Sequence, residues 1–276
     1  MNPNELKQRY DRDGFAFPIT VMSEEAAAGY RTQLEAIEAA IADDKDKRRT
    51  LRRHSSLVLP FVDEIARLPS VLDPVEAVLG PDILVLDTPF FIKEPRTPHF
   101  VSWHQDLHYW GLDQEDEVTA WIALSPATVE SGCMRFVAGS HRQVVAHNDT
   151  YDESNLLTRG QELAVKVDDK DAVDVVLAPG QMSLHHGRTF HASNPNRSND
   201  RRIGLAVRFV APTMRQADGS KGVAVLVRGE DRHGNFELAE PPAAAFDDRA
   251  LAQHRRAAEI RNAALFAKGG KDSPAS

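Results

Sequence analysis

Two stretches of this chain carry side chains whose types and spacing could do chemistry. The first, WHQDLHYW (residues 103–110), sets His104 and Asp106 one residue apart. Side chains alternate along an extended strand, so this spacing predicts an imidazole and a carboxylate converging on one face. The second, LHHGRTFHASNPNRSNDRRIGL (184–205), supplies His185, His186 and His191, with His191 the best placed, and Arg202 eleven residues after it. Two histidines and a carboxylate that leave coordination positions open are the ligand set of non-haem Fe(II) oxygenases. A fourth protein ligand would close such a centre.

The pattern around these residues resembles the phytanoyl-CoA dioxygenase branch of the Fe(II)/2-oxoglutarate oxygenases. The likeness rests on His104-Gln105-Asp106, the later His191 and Arg202 at its distance. It extends to FFIKEP (90–95), VTAWIAL (118–124), SGCMRFVAGSHR (131–142) and HASNPNRS (191–198), and covers roughly residues 10 to 240. It implies iron bound by His104, Asp106 and His191, with 2-oxoglutarate and O2 as co-substrates. The co-substrate would be decarboxylated to succinate while a C–H bond of a small molecule is hydroxylated. In this reading Arg202 takes the far carboxylate of 2-oxoglutarate, because its planar fork matches a carboxylate in a way that Lys cannot. Trp121, Ser193, Gln105 and Lys93 match positions around the co-substrate. Asp106 occupies the position that a small residue takes in halogenating relatives, which favours hydroxylation. Arg201, next to Arg202, would face the other side of a strand as a surface charge.

The elements that must position these residues change character along the chain. Asn2, Pro3 and Glu5 predict a capped first helix that Gly14 ends. GFAFPIT then reads as a strand, and Ser23-Glu24-Glu25 opens a second helix with Ala27, Tyr30, Leu34, Ile37 and Ile41 along its apolar face. FVDEIARL and residues 70–79 read as further helices, the last closed by Gly80. From Ile83 the chain turns to short β-rich pieces: ILVLDT, FFIKE, HFVSWHQD, VTAWIAL, MRFVAG, AVDVVLA, QMSLHH and IGLAVRFVA. Their spacing and turn residues point to a sandwich or barrel. The resemblance makes that a double-stranded β-helix, the cupin-like jelly roll. The expected organisation is one domain over residues 1–276, with a helical part to about 80 and a β core from about 81 to 240. An exposed helix after Pro242 and the tail GGKDSPAS complete it. The polar connection 139–171, with His141, His147, Tyr151 and Arg159, reads as a lid or binding loop.

Composition excludes several classes of function. The chain has 276 residues, 42% of them hydrophobic and 27% charged, as in ordinary globular domains. Its formal net charge of −8 argues against nucleic acid or an anionic membrane as a partner. No apolar run approaches a membrane span, the N-terminus lacks a secretory core, and the single Cys133 suits a reducing compartment, so a cytoplasmic location is expected. The basic run 45–53 reads as a solvated helix or loop, or as a rim that draws in an acidic substrate. His108 could pair with His104 only on a helix, and the β pattern argues against that. Arg135 and His141 serve equally as anion contacts or as structural residues.

Two further readings compete with the oxygenase. One is a cupin-like metal isomerase or hydrolase that does not use 2-oxoglutarate, against which Arg202 speaks. The other is a non-catalytic binding module on the same fold, against which the intact ligand set speaks. The balance favours a small polar or anionic substrate over a long lipid, and nothing in the sequence sets an oligomeric state.

Overall fold

The capping residues at the N-terminus act as their types dictate. The Asn2 side chain accepts the Glu5 N–H at 2.9 Å, Pro3 opens α1 (Pro3–Asp13), and Gly14 ends it in the left-handed conformation. In the computed structural model, which describes residues 2–157 and 160–267, the chain continues through β1 (Phe15–Thr20), α2 (Glu24–Ala40), α3 (Lys45–Thr50), α4 (Pro60–Arg67) and α5 (Pro69–Leu79). The strands β2 (Ile83–Asp87), β3 (Phe90–Lys93), β4 (Val101–His104), β5 (Glu117–Ala123) and β6 (Met134–Val137) follow. Next come β7 (His147–Asp149), β8 (Gln161–Leu163), β9 (Ala172–Val175), β10 (Gln181–His185), β11 (His191–Ser193) and β12 (Arg202–Val210). Then β13 (Gly222–Arg228), β14 (Phe236–Leu238) and α6 (Asp248–Ala267) close the described chain. Arg159 and the tail GGKDSPAS lie outside the described residues.

These strands form the double-stranded β-helix that the sequence led us to expect. A large sheet runs β1-β10-β5-β12-β2-β13-β14, with β3 also paired to β12, and faces a four-stranded sheet of order β4-β11-β6-β9. Within both, every pairing is antiparallel except β13 with β14. Both faces of the large sheet are covered, which is why all nine residues of β12 are buried. Ile203, Leu205, Val207 and Phe209 join Leu34, Val62, Ile65 and Val71 of the helices in the main core. The alternate residues Arg202, Gly204, Ala206 and Arg208 point the other way, toward the small sheet. Trp121 on β5 and Phe91 on β3 pack on that same inner side with Ala206 and Phe136.

The structure corrects several sequence expectations. β1, set between α1 and α2 in the helical part, is an edge strand of the large sheet. β13 and β14 were not among the expected strands. The 139–171 connection contains the β7–β8 hairpin, and Ser102 of β4 donates a hydrogen bond to Gln161 O of β8. The basic run divides. Arg48, Arg49 and Arg52 are exposed, whereas Arg53 turns inward to Asp87 at 3.2 Å. No helix among the described residues is long and apolar enough to cross a membrane.

Glu117 is the most deeply buried carboxyl at the start of β5. Its Oε1 accepts the Gly187 N–H at 2.5 Å, and the Tyr10 hydroxyl donates to its backbone oxygen at 3.1 Å. Burial holds the carboxyl well above its ordinary pKa; the Gly187 N–H opposes this and the nearby Asp106 charge reinforces it. The folded chain therefore keeps a proton that the unfolded chain releases above about pH 4.3. Stability associated with Glu117 is present below that pH and falls as pH rises toward the folded value. Glu117→Gln keeps the acceptor for Gly187 and removes the titration. Urea unfolding at a series of pH values should show the variant gaining on wild type by up to about 1.4 kcal/mol per pH unit as pH rises from roughly 5. Parallel pH profiles would show that Glu117 is ionised in the folded protein.

Candidate active site

His104 and His191 meet because their strands pair. β4 and β11 are antiparallel, His104 lies opposite His191 in the register, and the ring centroids are 4.0 Å apart. Each ring is aimed by its own backbone. His104 Nδ1 donates to Ser102 O at 2.9 Å, and His191 Nδ1 donates to Thr189 O at 2.9 Å. This leaves the Nε2 lone pair of each ring for a metal, the usual arrangement for a ligating imidazole. Burial, then the neighbouring His104, holds His191 well below its ordinary pKa, so its ring is neutral and able to ligate.

Asp106 completes the group by a route that strand alternation does not describe. β4 stops at His104, and Asp106 is αR (φ −64°, ψ −46°) at the start of a short 3-10 turn over Leu107–Tyr109. The turn curls the carboxylate back until Asp106 Oδ1 is 3.4 Å from His104 Nε2. One ligand atom from each of His104, Asp106 and His191 fits within a mutual spacing of 4.8 Å, with all three residues buried. Burial alone would raise the Asp106 carboxyl, but the charge of Arg208 holds it well below the carboxylate range. Two imidazole nitrogens beside an ionised carboxylate fit a divalent first-row ion and leave open coordination positions.

Arg208 escaped the sequence reading. It lies six residues after Arg202 on the same face of β12, an even spacing that was the available signal. Its Nη2 donates to both Asp106 oxygens at 3.2 Å, its Nη1 donates to Asp87 Oδ2 at 3.2 Å, and the Trp110 ring lies 4.9 Å away. Arg208 thus clamps the metal-side carboxylate to the floor of the large sheet.

The other anticipated residues fall into two sets. Arg202, Trp121 and Ser193 line the same cavity as the ligand group, together with Phe91, Thr119 and His185. Arg202 is 1% exposed, sits 5.2 Å from the Trp121 ring, and its Nε and Nη2 are buried without a hydrogen-bond partner. Burial lowers its pKa to about 10, so it remains a cation at neutral pH. Lys93, opposite Arg202 on β3, is not among the residues lining the cavity. It donates to Ser193 Oγ at 2.6 Å, to Ser193 O at 3.1 Å and to Asn194 O. Burial, then the charge of Arg202, brings it to about 6. A carboxylate placed against Arg202 would offset its buried charge, so the residues present fit an anionic co-substrate.

Gln105 belongs to the second set. Its amide donates to Gln143 O and Arg188 O at 2.7 Å each and accepts from Val145 N at 3.3 Å, and it does not line the cavity. The expected co-substrate contact is instead a tie that holds the ligand turn in place. His147 adds to that tie, its Nε2 accepting the Gln105 N–H at 2.9 Å. His108 stacks on His147 at 4.4 Å and stays out of the ligand group. His186 lies 3.5 Å from Glu117, and Arg135 pairs with Asp169 and Asp174, so neither reaches the cavity. Arg201 faces away as expected, yet it is engaged with Glu38, Glu94 and Glu35, and so is more than a solvated charge. Cys133 is buried in the inter-sheet core.

A double-stranded β-helix carrying a two-histidine, one-carboxylate group beside a buried unpaired arginine defines a non-haem metal protein. The chain belongs to the phytanoyl-CoA dioxygenase family, whose model matches residues 10–204. It is 29% identical over 172 residues to a probable alpha-ketoglutarate-dependent hypophosphite dioxygenase from Stutzerimonas stutzeri, covering 59% of this chain and 58% of that protein. It is 26% identical over 149 residues to the human peroxisomal phytanoyl-CoA dioxygenase, covering 52% and 44%. The chain thus spans about half the length of the curated relatives it matches. Among solved structures, the non-heme monooxygenase ThoJ in its apo form superposes with a TM-score of 0.86 at 32% identity, covering 96% of this chain and 98% of ThoJ. A ThoJ–Ni complex gives 0.80 at 30% identity, covering 94% and 98%.

Gly204 makes the Arg202–Trp121 arrangement possible. A Cβ at this position would lie 1.8 Å from Trp121 Cζ2, well inside contact distance. Gly204→Ala must therefore push the indole away from Arg202 or bend β12. Urea unfolding should show a loss of about 1–3 kcal/mol, as overpacking of a tight interior does. An unchanged midpoint would mean that Trp121 has room to move and does not fix the cavity wall.

Proposed function

We propose that this protein is an Fe(II)/2-oxoglutarate-dependent dioxygenase that hydroxylates a C–H bond of a small polar or anionic molecule. The observation that carries the reading is Arg202. A cation buried in the cavity that holds His104, Asp106 and His191, with two guanidinium nitrogens unpartnered, calls for an anion there. A metal isomerase or hydrolase without an anionic co-substrate gives that charge no task. With iron bound, the chemistry supplied is the coupled oxidation in which O2, 2-oxoglutarate and a C–H bond yield succinate, carbon dioxide and a C–OH group.

The chain's own residues have distinct tasks in this scheme. His104, Asp106 and His191 hold the metal on one side, and Arg208 keeps Asp106 ionised and fixed. Arg202 binds the far carboxylate of 2-oxoglutarate against the face of Trp121. Lys93 holds Ser193 in place through its backbone oxygen and hydroxyl, which supports the cavity wall from behind. Family membership and the likeness to ThoJ support the class of chemistry.

The test is succinate release with a panel of substrates, read alongside 18O incorporation from O2. Asp106→Ala should abolish succinate release. Arg202→Ala should raise the apparent constant for 2-oxoglutarate about 10- to 150-fold, the worth of a hydrogen bond to a charged group. Arg202→Lys should recover part of that loss, and Arg201→Ala should leave the constant unchanged. If Arg201→Ala carried the defect and Arg202→Ala did not, the anion site would be misplaced. A product that contained no oxygen from O2 would remove hydroxylation from the reading.

A further inference from the structure

A second cavity lies on the far side of Arg208 from the ligand group. It is small, about 40 Å³, and partly open to solvent. Arg208, Arg261, His54, Asp87, Gln216 and Trp110 contribute to its wall. Asp106 lines the first cavity and Arg208 the second, so their hydrogen-bonded pair stands between the two.

The polar groups of this cavity are more than its internal bonding uses. Asp87 is saturated, accepting from His54 N, Thr88 N, Arg53 and Arg208. Arg208 Nε, His54 Nε2 and Gln216 Oε1 are buried without partners, in residues 5%, 5% and 7% exposed. Arg261 adds a guanidinium from α6. Three guanidiniums, of Arg53, Arg208 and Arg261, stand against the two carboxylates of Asp87 and Asp106, which leaves an excess of positive charge. An occupant must therefore bring an anionic group to Arg208 and Arg261.

The occupant must also bring a donor. His54 Nδ1 contacts Leu86 O at 3.1 Å and Asp87 Oδ1 at 3.5 Å, so Nδ1 carries the proton and Nε2 presents a lone pair. Burial lowers His54 to about 4, which keeps that lone pair available at neutral pH. The residue adopts a left-handed backbone conformation (φ 47°), and its N–H is pinned by Asp87 at 2.7 Å. Asp87 thus fixes the backbone that presents the ring to the cavity. Gln216 Oε1 offers a second acceptor in the same wall.

We propose that this cavity binds the head group of the primary substrate, and that the head is an acid with a neighbouring N–H or O–H donor, of the 2-amino or 2-hydroxy acid type. The anion lies against Arg208 Nε and Arg261, and the donor meets His54 Nε2 and Gln216. The word substrate rests on the oxygenase reading; the binding itself does not.

Ligand-observed NMR titration of the full chain with chelator present tests the binding, with L-lactate, L-alanine and propionate as probes. Lactate or alanine should bind saturably, and propionate, which has the same carboxylate and no donor, roughly 10-fold more weakly. Arg261→Met should weaken the better probe roughly 10-fold or more, and Gln216→Met should narrow its advantage over propionate. Thermal unfolding confirms that each variant is folded. Equal binding of propionate, unchanged binding by Arg261→Met, or no saturable binding of any probe at millimolar concentration each overturns the proposal. Iron and turnover play no part here, so these failures leave the 2-oxoglutarate reading to its own test of succinate release. In the loaded enzyme, a 2-amino or 2-hydroxy acid that drives succinate release should show a raised KM with retained kcat in Arg261→Met. A substrate whose KM did not move would remove the substrate assignment.

Discussion

A guanidinium taken out of water needs negative charge beside it, or the fold carries a penalty of several kcal/mol. β12 buries two of them, Arg202 and Arg208, six residues apart on one face. The chain answers this demand at one and leaves it open at the other. Arg208 is matched by Asp106 and Asp87. Arg202 has an aromatic ring and a lysine for neighbours, and no carboxylate pairs with it among the described residues. The contrast separates a cation that already holds two carboxylates of the chain from one that holds none, and most of the logic around the ligand group follows from it.

The matched arginine also explains why a metal group can be assembled here before any metal arrives. A carboxylate crowded against two imidazoles and out of water would favour a protonated Asp106. Arg208 keeps that carboxylate charged, and the backbone acceptors at Ser102 and Thr189 fix both rings in the tautomer that offers Nε2. Gln105 and His147 then tie the turn to the loop that covers it. Preorganisation of this kind places the cost of gathering the ligands on folding, so that binding need not repeat it.

Much of this was legible in the sequence, though not always for the right reason. The helix starts followed from Asn2 and Ser23, and His191 followed from the segment around it. His104 and Asp106 do come together, but not by strand alternation: the strand ends at His104 and a 3-10 turn delivers Asp106. Local spacing cannot distinguish the two, because a turn also returns a residue to its neighbour's face. Gln105 was misread because its role is a contact with backbone groups at 143, 145 and 188, far off in sequence. β13, GVAVLVR, carried a clear β-rich run that was available and unused, whereas β14 and the β7–β8 hairpin are three-residue strands, too short for periodicity to mark. Arg208 shows the deeper limit. Its even spacing from Arg202 is visible, but its importance depends on Asp87 and Asp106, which only the folded sheet brings to it.

The central claim is that His104, Asp106 and His191 hold iron while Arg202 takes the co-substrate beside it. Anaerobic titration of the metal-free protein with Fe(II), followed by 2-oxoglutarate and read by visible absorption, addresses it most directly. The account predicts a weak charge-transfer band that saturates at a single equivalent of iron and is lost in His191→Ala. It also predicts that Arg202→Ala shifts the 2-oxoglutarate midpoint upward with the iron stoichiometry unchanged. Iron binding without the band in wild type, or an undiminished band in His191→Ala, would contradict it.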